Sequence, residues 1–147
     1  MIVTSLRLYK KEKLCSNTAI DLLFSKEGSM AAIAFPLRAV WRKNERRTRG
    51  AQMQFMISVP KKRLRHAVDR VSMRRRIREA YRLNHHDYTL TDDSNIDIAF
   101  IYVANKLTPY RVIEHSMKRL LKKITETPQP AITDDKTSNQ LAIDTAN

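Results

Sequence analysis

Residues 67–86 read AVDRVSMRRRIREAYRLNHH, and this stretch decides both how the chain folds and which surface it presents. Its apolar residues Met73, Ile77 and Tyr81 recur at four-residue steps, which places them on one side of an α-helix. Arginines recur at the same step along another side, at Arg70, Arg74, Arg78 and Arg82. Each such step turns by only about 40° around the helix axis. We therefore predict a helix that packs on a sheet and displays a stripe of positive charge.

The chain as a whole is strongly basic. Its 147 residues carry 28 Lys and Arg against 15 Asp and Glu, a formal charge of +13, and ten of those bases lie between Lys61 and Arg82 beside two acids. Such cations repel one another until a polyanion binds them and releases its counterions. The charge predicts a nucleic acid as the first candidate partner and an anionic membrane as the second.

The alternative for the basic helix is a solvated face balanced by surface ion pairs. Glu79 can pair with Arg75 or Arg82, but two acids cannot neutralise ten bases. Arginine also suits phosphate better than lysine does, because its planar guanidinium makes bidentate contacts. An anionic partner remains the preferred interpretation.

Cysteine content and hydropathy bear on the cellular compartment. With one cysteine, Cys15, the chain cannot form an internal disulfide. No apolar run approaches the roughly 20 residues that a membrane-spanning helix needs. We expect a cytoplasmic protein with no membrane partner. Cys15 is predicted to be a packed residue, since no His and acid are identifiable beside it as for a nucleophile.

Two kinds of element are predicted ahead of the basic helix. Ser16 or Asn17 can cap a first helix, with Gly28 as its left-handed C-terminal cap. The apolar segment 30–41 is extended in character and is interrupted at Pro36. Residues 52–59 alternate apolar and polar side chains, which is typical of a half-buried strand.

After the basic helix in the chain we predict a loop at His85 and His86 and then a buried strand, DIAFIYV, at residues 97–103. Thr108 and Pro109 predict the start of a last helix. The order of helix, strands, helix, strand and helix is that of an α+β domain. We divide the chain into a basic N-terminal extension at 1–13, a folded domain at 14–125 and a disordered tail at 126–147.

No catalytic or metal-binding constellation is predicted. The two glycines of the chain exclude a phosphate-cradling loop. The histidines lack a cysteine or second histidine at ligand spacing; they are His66, His85, His86 and His115. Asp92 and Asp93 lie in a polar run with nothing apolar to raise a pKa, which indicates a solvated turn.

The run ISVPKKRLRHAVDRVSMRRRIREAYRL, residues 57–83, resembles the signature of bacterial ribonuclease P protein subunits. In that signature a strand ending in Ser-Val-x-Lys-Lys precedes a helix with Ala-Val-x-Arg-Asn-x-x-Lys/Arg-Arg-x-x-Arg-Glu. Eleven residues match in order: Ser58, Val59, Lys61, Lys62, Ala67, Val68, Arg70, Arg74, Arg75, Arg78 and Glu79. The chain departs from the pattern at Val71, where the family has asparagine, and at Ile20, where a phenylalanine is usual.

The resemblance implies a fold. It is a single α+β domain in α-β-β-β-α-β-α order, with a mixed four-stranded sheet packed by helices, as in the ribosomal protein S5 domain 2-like fold. It also implies a left-handed crossover between parallel strands, against the general right-handed rule.

The resemblance implies a function as well. The family's catalytic RNA hydrolyses the 5′ leader from precursor tRNA with Mg²⁺ bound mainly by the RNA, and the protein assists without an obligate protein partner. By resemblance, the catalytic RNA is contacted by Arg70, Arg74, Arg75, Arg78 and, at the end of the stripe, Arg82. The leader cleft would be lined by Phe24, Arg38, Lys61, Lys62 and Lys106.

Several alternatives stay open from the residues themselves. Phe24 and Tyr102 are candidate stacking platforms for a single strand, but a place in the core is the favoured explanation for Phe24 taken alone. A DNA-binding regulator would need a second helix just before the basic one, where Pro60 and a strand stand instead. A ribosomal or RNA-assembly protein shares the charge and needs no cleft.

Overall fold

The computed structural model describes residues 8, 12–25, 28–44, 52–88 and 95–126. The elements follow the predicted order, with a short 3-10 helix added at His85–Asp87: α1 (Asn17–Phe24), β1 (Ser29–Ala34), β2 (Leu37–Lys43), β3 (Met53–Ser58), α2 (Ala67–Asn84), β4 (Ile96–Tyr102) and α3 (Tyr110–Glu126). The predicted tail beyond Glu126 and most of the predicted extension at 1–13 lie outside the described residues.

The four strands form one mixed sheet in the order β1-β2-β4-β3. β2 pairs antiparallel with both β1 and β4, whereas β3 pairs parallel with β4. The mixed four-stranded sheet is therefore confirmed, and α2 is the crossover between its two parallel strands. The left-handed sense of that crossover stays a prediction.

Both faces of the sheet are covered, but unequally. α2 and α3 pack on one face, where Trp41, Phe100 and Tyr102 are fully buried. α1 packs on the other face through Leu23, above Val40 of β2 and Ala99 of β4. β4 lies between β2 and β3 and is buried almost throughout, which is why its sequence is a continuous apolar run instead of an alternation.

The basic helix is anchored as its apolar pattern predicts. Met73, Ile77 and Tyr81 are fully buried, and the Tyr81 ring stacks on Phe55 of β3 at a centroid distance of 4.1 Å. α3 likewise buries an apolar stripe, from Ile113 to Ile124. α2 can therefore pack into the core on one side and expose its arginines on another.

Three local predictions need correction. Gly28 has the positive φ expected of it, 75°, but α1 ends earlier, at Phe24 with Ser25 as its C-cap, so Gly28 shapes the entry to β1 and is not the helix cap. α3 begins at Tyr110, just after the start predicted at Thr108 and Pro109. The Thr108 hydroxyl bonds instead to the Tyr102 hydroxyl, at 2.6 Å. His85 is not in a loop: it is buried and stacks on Tyr81 at 4.6 Å.

A polar contact joins α2 to α3 beside this core. The Glu114 carboxylate accepts hydrogen bonds from the Asn84 amide at 3.2 Å and from the Tyr110 hydroxyl at 2.9 Å. These two bonds lower the pKa of Glu114 below its ordinary value, because they favour the charged form. Burial, together with the bond to Glu114, raises the pKa of Tyr110 to about 12.

Glu114→Gln should lower the free energy of unfolding at about pH 7 by about 1 kcal/mol, because bonds to a charged acceptor become bonds to a neutral one. The folded-state pKa of Glu114 lies below its ordinary 4.5. Its stabilising effect is therefore present above that value and is lost as the pH falls through the folded pKa. Urea unfolding of parent and variant across this range should show the difference shrinking.

Lys118→Gln is the matched control. It removes only the more exposed partner of the Glu114 ion pair, at 3.9 Å, and should change the stability by less than about 0.5 kcal/mol. A Glu114→Gln difference that persists unchanged at low pH would contradict the assignment.

Candidate nucleic-acid interface

The predicted arginine stripe exists along α2, but its guanidiniums are not equivalent. Arg82 donates from Nε to Glu79 Oε2 at 2.9 Å, and a second, shorter contact joins its Nη2 to Oε1. The bond to Arg82 lowers the pKa of Glu79. The pairing predicted for Glu79 is thus confirmed at Arg82, and the charge at this end of the stripe is compensated.

Arg70, at the other end, is held by backbone. Its Nη1 donates to the carbonyls of Leu64 and Arg65, both at 2.9 Å. Carbonyls orient a guanidinium without neutralising it, so Arg70 keeps its charge while it fixes the loop before α2. This loop matters because the residue that caps α2, His66, makes no side-chain capping bond.

Between these ends lie the free cations of the helix. The side chains of Arg74, Arg75 and Arg78 make no hydrogen bond or ion pair with any of the residues that the structure describes, and Arg75 and Arg78 are exposed. Arg76 differs, because its Nη1 donates to the Thr108 carbonyl at 2.6 Å and ties α2 to the start of α3. The charge available to a partner is therefore concentrated in the middle of the helix.

A second basic region lies at one end of the sheet. β3 and β4 are parallel, so the residues that follow them, Lys61, Lys62 and Lys106, leave the sheet at the same end. β2 runs the other way and begins there, with Arg38 on its second residue. All four of these side chains are exposed. The four cations that the resemblance assigns to a leader cleft therefore lie at the same end of the sheet.

The loops after the two parallel strands also contact each other. Arg63 donates to the Asn105 side-chain oxygen at 3.4 Å. The Tyr102 hydroxyl donates to the Lys106 carbonyl. These bonds hold the loop that carries Lys106 against the end of the sheet.

Of the two candidate stacking platforms, the structure leaves one. Phe24 lies in the last turn of α1 with 48% of its surface exposed, so the core explanation for it is wrong. Tyr102 is fully buried, and its assignment as a platform is wrong. It falls on the sheet face that α2 and α3 cover, because β4 is central and its even-numbered residues point to that side.

Sequence reasoning missed an exposed apolar pair near the same end of the sheet. Ile33 and Phe35 are each 69% exposed, and Ile33 pairs with Arg38 across the β1–β2 hairpin. Pro36 could have indicated this exposure, because it marks the turn of that hairpin. Residues beside a turn at a sheet edge are the ones that the core cannot cover.

Of the remaining candidate groups, Asp92 and Asp93 lie outside the described residues, whereas His85 is held by hydrogen bonds in the core. His85 bonds through Nδ1 to the Tyr81 carbonyl at 2.8 Å and through Nε2 to Glu12 at 3.2 Å. Within the described ranges, no three His, Cys, Asp or Glu side chains are grouped as a metal site would require. No helix in that part of the chain is both long and apolar enough to cross a bilayer.

Comparisons with known proteins agree with this architecture. A protein-family model described as Ribonuclease P matches residues 8–125. The "Ribonuclease P protein component" of two Porphyromonas gingivalis strains is 38% identical over 120 residues, which is 80% of this chain and 85% of theirs.

Solved structures support the fold. The ribonuclease P protein of Thermotoga maritima superposes with a TM-score of 0.59 at 23% identity, covering 76% of this chain and 96% of that one. A Staphylococcus aureus ribonuclease P protein mutant gives 0.61 at 21% identity, covering 78% and 89%. With a family model that spans most of its length and relatives of this identity, the chain belongs to the ribonuclease P protein family.

Proposed function

We propose that this protein is the protein subunit of ribonuclease P, which assists the endonucleolytic removal of the 5′ leader from precursor tRNA. The observation that carries the proposal is the group of uncompensated guanidiniums, Arg74, Arg75 and Arg78, on a helix whose other side is locked in the core. Arginines on a helix that is held by the core suit the phosphates of a folded RNA, because the helix itself needs no further ordering on binding.

Membership of the family supports a division of labour between RNA and protein. We propose that the catalytic RNA subunit carries out the phosphodiester hydrolysis, with Mg²⁺ held mainly by that RNA. The protein's own contribution is charge and position: α2 binds the RNA subunit, and the second basic region receives the precursor tRNA. We place this activity in the cytoplasm.

The leader is proposed to lie across the end of the sheet where Arg38, Lys61, Lys62 and Lys106 meet. Four exposed cations there can follow the phosphates of a single strand. Phe24, exposed on α1, offers a ring on which a leader base can stack. Such contacts are tolerant of sequence, because every base has a π-face and every nucleotide a phosphate.

Arg74→Ala and Arg78→Ala should each weaken binding to the RNA subunit and flatten its salt dependence, by about 0.7–0.9 in the log–log slope, since each removes one phosphate contact. Arg82→Ala should change the slope far less, because Glu79 already compensates that charge. Filter binding across a salt series measures all three.

Glu79→Gln tests whether the charge of Arg82 is compensated by Glu79. It releases Arg82, so binding should tighten and the slope should steepen toward one additional contact. Equal slopes for Arg74→Ala, Arg82→Ala and the parent protein would show that the stripe does not bind the RNA.

Phe24→Ala should weaken binding of precursor tRNA to the reconstituted holoenzyme by about tenfold, as loss of one stacked base does. Binding of leaderless tRNA should not change. Val112→Ala on α3 is the control, because it truncates another apolar side chain that is 40% exposed. If the parent and Phe24→Ala discriminate equally between leader-bearing and leaderless tRNA, Phe24 is not a leader contact.

A further inference from the structure

A pocket of about 190 Å³ lies beneath the free arginines, between α2, the outer edge of β3 and the segment that precedes α1. We call it the β3-edge pocket. Its apolar lining includes Leu14, Phe55 and Ile57, and its charged lining is Arg74, Arg78 and Lys13. None of the described residues that line it is acidic. The pocket is smaller than the roughly 300–1,000 Å³ typical of small-molecule sites, so its size suits one planar ring system.

The edge of β3 supplies hydrogen-bonding groups to this pocket. The Leu14 N–H donates to the Phe55 carbonyl at 2.9 Å, and Lys13 pairs with Phe55 in a single parallel bridge. The backbone groups of Phe55 therefore point away from β4, and alternation along the strand turns those of Ile57 the same way. The bridge goes no further, because Ser16 already caps α1.

The Ile57 N–H and C=O thus face outward at a sheet edge. No described residue bonds to them there. A donor and an acceptor side by side, next to an apolar floor, match the edge of a nucleobase. A base bound there could pair one donor and one acceptor of its edge with the Ile57 backbone, so neither group would be buried without a hydrogen bond.

The arginines above the pocket complete the match. Arg74 and Arg78 lie one helical turn apart, about 6 Å along the axis, a separation that successive phosphates of an RNA strand can span. Neither guanidinium has a partner among the described residues. Lys13 adds a third cation from the opposite wall. A peptide strand added to this edge would gain only the Ile57 pair and would meet these cations, so the charge favours RNA.

We infer that the β3-edge pocket binds one unstacked nucleobase of the RNA subunit, with its edge on the Ile57 backbone and its flanking phosphates on Arg74 and Arg78. The inference rests on the proposed function and adds a base-specific contact to it. Phosphate contacts along α2 orient the RNA, whereas a base held by fixed backbone groups can discriminate between nucleotides.

Cys15 gives direct access to this site. It lines the pocket, it is exposed, and it is the one cysteine of the chain. Its exposure also corrects the sequence prediction of a packed residue. Alkylation with N-ethylmaleimide fills the pocket of the folded protein without changing the charge of the rim. The matched control is C15S/H115C carrying the same adduct, because His115 is exposed on α3.

The test measures binding to the RNA subunit and maps base accessibility in the complex with dimethyl sulfate and a carbodiimide, which together report on all four bases. The unmodified protein and the alkylated control should protect one unpaired base. Alkylated Cys15 should expose that base and weaken binding about tenfold. The salt slope should stay unchanged, because Arg74 and Arg78 still reach phosphates. Cys15→Phe should reproduce the effect genetically.

Identical base protection with and without the adduct would overturn the inference. So would a loss of salt slope on alkylation, which would show that the pocket merely supports the guanidiniums. If the unmodified protein fails to bind the RNA subunit at all, the proposed function fails, and that result is distinct from binding that occurs without a protected base.

Discussion

The stack of Phe55, Tyr81 and His85 is the contact on which the rest of this structure depends. Tyr81 is fully buried, with ring centroids 4.1 Å from Phe55 and 4.6 Å from His85. Such ring pairs add about 0.5–1.5 kcal/mol each beyond the burial of their area. The Phe55–Tyr81 pair locks α2 to the edge strand of the sheet, so the core sets which way the arginine side of the helix faces.

Anchoring alone does not determine which arginines are available. Glu79 compensates Arg82, backbone carbonyls hold Arg70, and the Thr108 carbonyl holds Arg76. The remaining cations of the helix lie in its middle two turns. A sequence count of charges treats all of them alike, but hydrogen bonding divides them into those that build the fold and those that can bind phosphate.

Sequence alone predicted most of the framework. Periodicity located α2, a continuous apolar run located β4, and the start signal at Thr108 and Pro109 located α3. It misjudged Cys15 and Tyr102, whose exposure depends on which face of the sheet each one meets. It also could not show that Lys13 pairs with Phe55, since a single bridge between residues so far apart in the chain leaves no local pattern. That pairing places Lys13, Leu14 and Cys15 along one wall of the β3-edge pocket.

The two basic regions are joined by short paths through the fold. The loop that carries Lys61 and Lys62 leads directly into α2, and Arg70 fixes that loop through the Leu64 and Arg65 carbonyls. Arg76 of α2 and Arg63 of the loop both bond to the segment that holds Lys106, at Thr108 and Asn105. A partner on α2 and a partner at the end of the sheet would therefore act on one hydrogen-bonded unit. A general RNA-assembly protein requires no such connection, whereas a subunit that must place a substrate strand relative to its RNA does.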